Sequence, residues 1–314
     1  MAGFASPVQA ESLSRPDWSW LTNSVAAAHR ANFSGTFVYQ HGNRVETSRL
    51  THLIEPSGEY SHLESLDGPH RELVSRGKQT WYVLDDRQAV RLAKQGERRA
   101  FPDVLPEHLA DLTQRYLVVE AERVRIAGYD TQAVIFQPRD ALRYARKVWI
   151  HRESGVVLKA ATLNEKGAVV EQYAFTQLEL GGNLDRDWVA SSNALIQAAG
   201  QQEAANWQML PDSAGWVVDQ LPAGFRRVAE LRRQLRDKQP PTLQMVFSDG
   251  LAGISVFVDV ARGDEADSNG LSSHGAVNLY RRVLADGSFR ITVVGDAPPR
   301  AVMQIAESVR YAGQ

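Results

Sequence analysis

Residues 138–178 constrain the fold more than any other part of the chain. Glu153-Ser154-Gly155 and Asn164-Glu165-Lys166-Gly167 divide them into runs 143–152, 156–163 and 169–178, each rich in β-branched and aromatic residues. Each divider ends in the Gly that a tight hairpin uses where φ turns positive. At about 3.3 Å per residue, these strands each span roughly 26 to 33 Å. The pattern predicts a broad, curved antiparallel wall.

An antiparallel wall with one face in water alternates apolar and polar residues. Here Tyr144, Val148 and Ile150 fall on one side of the first strand and Trp149 on the other; Val169, Tyr173 and Phe175 oppose Val170, Ala174 and Leu178 in the third. Both faces therefore need cover, whether from helices, another domain or a ligand.

The same alternation with regularly spaced turns predicts strands at 33–40, 45–54, 59–66, 71–75, 80–84, 118–126 and 131–137. An amphipathic helix, capped by Asp17, precedes them and runs to about Ala31. The rhythm lapses between Asp85 and Gln114, where a short helical piece bracketed by Pro102 and Pro106 and another at 107–117 are expected to supply cover.

After Gly181-Gly182 the chain turns rich in Ala, Gln, Asn and Ser, which reads as a loose helix around 190–205 or a flexible connector. Beyond it, hairpin signals at Ser248-Asp249-Gly250 and Asp286-Gly287 and a helix opened by Pro298-Pro299 predict a second, smaller β unit, with a mobile loop at 264–275. The division expected is a leader remnant at 1–10, a large unit at 11–182, a linker at 183–215 and a small unit at 216–314.

The chain has 314 residues, a net charge of −2 and no cysteine. Disulfides, thiolate metal sites and a lipoprotein anchor are excluded, and no global field favours nucleic acid. Ala5-Ser6-Pro7-Val8-Gln9-Ala10 looks like the cleavage end of a secretory signal whose charged start and apolar middle are missing, with the mature chain expected to begin near Glu11; the alternative is a disordered N-terminus.

No catalytic motif is present, and the expectation is that the protein is not an enzyme and holds no cofactor. His52 and His62, on neighbouring strands, read as solvated rather than as a metal pair. Two features remain as binding candidates. Phe37, Tyr39, Trp81, Phe136, Trp149, Tyr173 and Phe175 either form a core beneath helices or line an apolar cleft for acyl chains or a peptide. Arg226, Arg227, Arg232, Arg233, Arg236 and Lys238, with Arg281 and Arg282, form either a solvated face or a site for acidic peptide or lipid phosphates, which Arg forks grip well.

Several motifs carry a family resemblance. Phe33-Ser34-Gly35-Thr36-Phe37-Val38-Tyr39, Pro138-Arg139-Asp140 with Arg143-Tyr144, Leu158-Lys159, Asn164-Glu165-Lys166-Gly167 and Phe175-Thr176-Gln177-Leu178 resemble the RseB/MucB family. Leu221-Pro222-Ala223-Gly224-Phe225, Ser248-Asp249-Gly250-Leu251-Ala252, Ser255-Val256-Phe257 and Thr292-Val293-Val294-Gly295 continue it in order. The resemblance implies an α+β, mostly antiparallel chain. Its large domain would be an unclosed β-barrel with covering helices, similar to the LolA/LolB carriers, and its small sheet domain would carry one helix and much of the partner contact. It implies a periplasmic negative regulator of the sigma-E (AlgU) envelope-stress response. Such a protein binds the periplasmic domain of a membrane anti-sigma factor, shields it from the site-1 protease, and lets go when lipopolysaccharide or another lipid signals damage. The alternative is a periplasmic carrier of lipoprotein acyl chains. Whether the chain forms a homodimer is left open.

Overall fold

The computed structural model describes residues 18–77, 79–85, 88–92, 100–106, 109–199, 207–209, 215–233, 241–261 and 269–313. The signal-like stretch, the Asp17 cap, Arg236 and Lys238 lie outside them, as do parts of the predicted connector and of the 264–275 loop.

Helix α1 (Ser19–Ala28) leads into β1 (Phe33–His41), β2 (Arg44–Glu55), β3 (Gly58–Ser65), β4 (Glu72–Arg76), β5 (Gln79–Asp85) and β6 (Gln88–Leu92). A 3-10 turn (Ala110–Gln114) precedes β7 (Tyr116–Ile126), β8 (Tyr129–Pro138), β9 (Ala145–His151), β10 (Val157–Leu163) and β11 (Val169–Leu180). These strands form one 11-stranded antiparallel sheet in the order β6-β5-β4-β3-β2-β1-β11-β10-β9-β8-β7. Each meander is built from hairpin neighbours, and the single long-range closure is β1 against β11. β6 and β7 remain unpaired with each other, so the wall is unclosed, as the resemblance implied.

The inner face carries the main core. Leu21 and Val25 of α1, Phe33, Phe37, Phe136, Ile150, Leu158 and Phe175 of the sheet, and Phe101, Leu105, Leu109 and Leu112 of the intervening segment are all buried there. The described part of that segment does cover the wall, but without an α-helix. Residues 101–106 form turns and bends, and the piece expected at 107–117 is the short 3-10 turn followed directly by β7. The two prolines remove donors that a helix would need.

The outer face is covered at one end by α2 (Asp187–Ala199), whose Trp188, Leu195 and Ile196 pack on Val74, Trp81, Val83 and Ala89. Part of the stretch read from sequence as a connector is thus docked on the wall.

Beyond it come β12 (Trp207–Met209), β13 (Trp216–Val218), β14 (Arg226–Arg233), β15 (Thr242–Ser248), β16 (Gly253–Val260), β17 (Gly270–His274), β18 (Val277–Val283) and β19 (Phe289–Gly295). They are followed by α3 (Pro299–Glu307) and β20 (Val309–Tyr311). A 7-stranded sheet in the order β12-β14-β15-β16-β19-β18-β17 packs one face on α3, while β13 and β20 make a separate pair. Val302 and Ile305 of α3 meet Met245, Ile254, Val256, Ile291 and Val293 in a second core. The loop expected at 264–275 therefore contains an edge strand, β17, held by regular pairing to β18. Among the described residues, no helix is long and apolar enough to cross a membrane.

Candidate functional site: an apolar cavity beside a polar junction

The hairpin registers set the site. Gly35 faces Leu50 across β1 and β2, Leu50 faces Leu63, and Leu63 faces Leu73. These leucines share the inner face with Phe33 and become one wall of a cavity of about 300 Å³, closed from the other side by Val25, Phe101 and Leu105. The volume falls at the small end of the roughly 300–1,000 Å³ typical of ligand pockets.

Four titratable groups stand around this space: His29, His52, Glu59 and Asp103. His52 is pinned by the Ala31 carbonyl oxygen at 2.7 Å from Nδ1 and by Glu59 Oε1 at 3.1 Å from Nε2. The His52 hydrogen bond holds the Glu59 carboxyl below its usual range. His29 Nε2 lies 4.0 Å from Asp103.

The structure divides the aromatic residues singled out from sequence. Phe37, Phe136 and Phe175 are buried in the inner core, and Tyr173 packs partly buried against it. The Phe101 ring lies 5.1 Å from those of Phe37 and Phe175 and stacks at 5.5 Å on Tyr173. Tyr39 stacks at 4.6 Å on Tyr173 and donates to Glu171. Trp81 and Trp149 lie on the opposite face: Trp81 under α2, and Trp149 beside Ala133 and Ala161 with Lys147 and Lys159 over its ring. None of the seven is among the cavity-lining residues, which come from the next part of the same inner face.

The basic residues are likewise dispersed. Arg226 and Arg232 are exposed at the two ends of β14, and Arg227 is paired with Glu230 at 2.5 Å. Arg282 is committed to the end of α3 and the start of β20, donating to the carbonyls of Ala306, Glu307 and Val309. Arg281, its strand neighbour, points to the other face of β18, as alternation requires. Nothing is described of the Arg233 side chain. His52 and His62 do not converge: His62 bonds Glu72 at 2.8 Å and stacks on Trp188. Among the described residues, no group of His, Asp and Glu is placed to hold a metal ion.

The sequence reading missed the junction between the two sheets. Arg143, just before β9, donates to Asp249 at 2.6 Å and also reaches Asp140 and the Ala223 carbonyl. Tyr116 donates to the same Asp249 oxygen at 2.8 Å. Burial, and then the charge of Asp249, push the Tyr116 phenol well up. Arg146 pairs with Asp296 at 2.5 Å and lies 3.8 Å from Glu171. Burial opposes its charge, but Asp296 and Glu171 outweigh that and hold its pKa above the ordinary value. Glu171 also accepts from Tyr39 and from the Ala276 backbone N–H of the small sheet. Burial first, and Glu171 second, raise the Tyr39 phenol. The pairings of Asp249 with Arg143 and Tyr116, of Asp296 with Arg146 and of Glu171 with Tyr39 and Ala276 join residues more than a hundred positions apart, so no local signal reports them.

The cavity and the junction share a wall. Leu105 lines the cavity and also, with Val104, Arg146, Leu251 and Asp296, a gap of about 50 Å³ at the junction.

Comparison with known proteins follows this architecture along its length. A family profile described as MucB/RseB N-terminal domain matches residues 17–193, and one described as MucB/RseB C-terminal domain matches residues 211–310. The Sigma factor AlgU regulatory protein MucB of Pseudomonas aeruginosa is 30% identical over 296 residues, which are 93% of this chain and 90% of that protein. The Sigma-E factor regulatory protein RseB of Escherichia coli K12 is 26% identical over 286 residues, 91% of this chain and 87% of that one. A crystal structure of MucB in complex with MucA(peri) superimposes with a TM-score of 0.71 at 26% identity, covering 95% of this chain and 100% of that one. With both sheets matched in order, the chain belongs to the MucB/RseB family.

Proposed function

We propose that this protein is a periplasmic regulator that binds the periplasmic domain of a membrane anti-sigma factor and shields it from site-1 proteolysis. In this reading, lipopolysaccharide or another lipid weakens the grip. The observation that carries it is a likeness spanning both sheets to a MucB crystallised with MucA(peri). The unit division that goes with it is a large lipid-responsive wall and a small sheet that contributes to partner contact, with the exposed Arg232 facing an acidic partner segment.

The lipid arm is supported by the apolar cavity, and its link to the partner arm by the shared wall at Leu105. A lipid that enters the cavity and moves Phe101 and Leu105 disturbs the seat of Leu251 and the Arg146–Asp296 pair. Coupling of this kind is reciprocal: lipid lowers affinity for the partner, and the partner lowers affinity for lipid.

The test is capture of the cognate anti-sigma periplasmic fragment by the purified protein, with and without lipopolysaccharide. Retention without lipid and a graded loss with it are expected. No capture at all sinks the regulator, and capture indifferent to lipid sinks the coupling. An acyl-chain carrier, the competing reading, would instead move a lipoprotein between membranes with no anti-sigma fragment present.

A further inference from the structure

One polar row crosses four strands of the wall at the end where the small sheet docks. Arg146 faces Thr162 across β9 and β10, Thr162 faces Glu171 across β10 and β11, and Glu171 faces His41 across β11 and β1. Residues opposed across a ladder share one face of the sheet, so the four stand side by side over roughly 14 Å, at about 4.8 Å per strand. Three of them meet the small sheet. Arg146 holds Asp296, just after β19. Glu171 receives the N–H of Ala276, in the β17–β18 turn, at 3.1 Å. His41 meets the ring of His274, the last residue of β17, with centroids 4.2 Å apart. Gly275 permits this approach: at φ +58°, a Cβ there would fall 2.7 Å from both Glu171 Oε2 and the Tyr39 hydroxyl.

Imidazole is the side chain whose charge ordinarily changes between about pH 5 and 8, and here two of them touch across the two units. His41 Nε2 is buried and has no hydrogen-bond partner. A neutral ring can leave a nitrogen bare, whereas a charged one buries an unpaired N–H beside a second imidazole. Glu171 faces His41, but its charge is already engaged by Arg146 at 3.8 Å, by the Tyr39 hydroxyl and by the Ala276 N–H. Tyr39, raised by burial, stays neutral throughout this range. Arg44, opposite His41 on β2, is positive and paired with Glu46 at 2.7 Å. On the hairpin, residues 270–279 carry no titratable side chain other than His274. The surroundings can thus balance one imidazolium more readily than two.

We propose that His41 and His274 form an acid-released latch between the two units. Uncharged, the rings pack and the β17–β18 turn stays seated on Glu171. Charged together, they repel at close range, and the hairpin lifts from the wall. Opening takes up protons, so falling pH drives it, and the contact is whole on the alkaline side of the imidazole range. The latch is a property of the fold, separate from the lipid and the partner of the proposed function.

Because the chain has no cysteine, Asn43→Cys in the β1–β2 turn and Ser272→Cys on β17, both at exposed positions, place one spin label on each side of the latch. Dipolar distances measured on the whole chain at pH 8 and at pH 5 test it. A single short distance is expected at pH 8. At pH 5 a longer one should join it, with the ratio of long to short up by about tenfold or more, since uptake of one extra proton shifts that ratio by up to about tenfold per pH unit. His274→Gln, which removes one of the two charges at an exposed position, should keep the short distance at both pH values, and so should His41→Gln. An unchanged distribution in the parent overturns the latch. So does either variant that opens with acid as the parent does.

Discussion

Arg143 Nε donates a 2.6 Å hydrogen bond to Asp249 Oδ2 across the junction of the two sheets, and neither side chain retains any exposure to solvent. An ion pair so buried is costly to half-remove, because the survivor is left charged and dry. Asp249→Ala should therefore cost about 3–5 kcal/mol in urea unfolding. Replacing both partners by apolar residues, Arg143→Met with Asp249→Leu, should recover part of that loss, the Tyr116 hydroxyl being left without its acceptor. If the double variant is no better than the single, the pair is not the unit that matters.

The pH profile of stability should fall at both ends for identifiable reasons. Tyr116 is raised above its ordinary value, so the fold favours the neutral phenol. Its contribution is whole below about pH 10 and is lost as the pH climbs past that value. Glu59 is lowered, so its contribution is present above the ordinary glutamate value of about 4.3 and disappears as the pH falls through its depressed value. Thermal melts across pH should show a shallower alkaline limb for Tyr116→Phe and a shallower acid limb for Glu59→Gln. Limbs that stay parallel to the parent's would reject these assignments.

Two turn glycines with nearly equal backbone angles should differ sharply in tolerance. Gly155 (φ +73°) and Gly167 (φ +74°) both sit in the left-handed region, where a side chain costs about 1–2 kcal/mol. A Cβ on Gly167 meets nothing within 4 Å, whereas one on Gly155 would fall 1.7 Å from the Ser24 carbonyl oxygen of α1. Gly167→Ala should lose only the backbone penalty. Gly155→Ala should lose clearly more and disturb α1, which the fluorescence of Trp20, packed against Arg152, would report. Equal losses would mean that α1 is not seated as described.

The basic residues separate by what they hold. Arg282→Ala removes a donor from two carbonyls at the end of α3 and one at the start of β20 and should cost about 1–3 kcal/mol. Arg232→Glu, on an exposed side chain, should stay within about 0.5 kcal/mol of the parent. Unchanged capture of the anti-sigma fragment by Arg232→Glu would return that residue to plain solvated surface.

Much of the strand order was legible because the turns announce themselves. Phe289–Gly295 and the meander from Phe33 follow from Gly, Asn and Asp placed between alternating runs. What escaped has a physical pattern. β17, Gly-Leu-Ser-Ser-His, has no apolar alternation, and it is a strand because β18 offers it a ladder. β6 is five residues in the least regular part of the chain. The aromatic residues drew attention by size, yet Trp81 and Trp149 are on the far side of the wall from Phe37. Leu50, Leu63 and Leu73 look ordinary in sequence. Only the register of two hairpins lines them up, and only the Ala100–Leu105 face across from them leaves the space.

The gap between β6 and β7 has a mechanical meaning. In a closed barrel, admitting a guest means stretching or breaking rungs, because every strand is tied on both sides. Here the two rims belong to one continuous ribbon and, among the described residues, share no rung with each other. The ribbon can relax its curl around a bulky visitor while each rung stays intact, so the resistance to swelling comes from side-chain packing and from the polar ties to the small sheet.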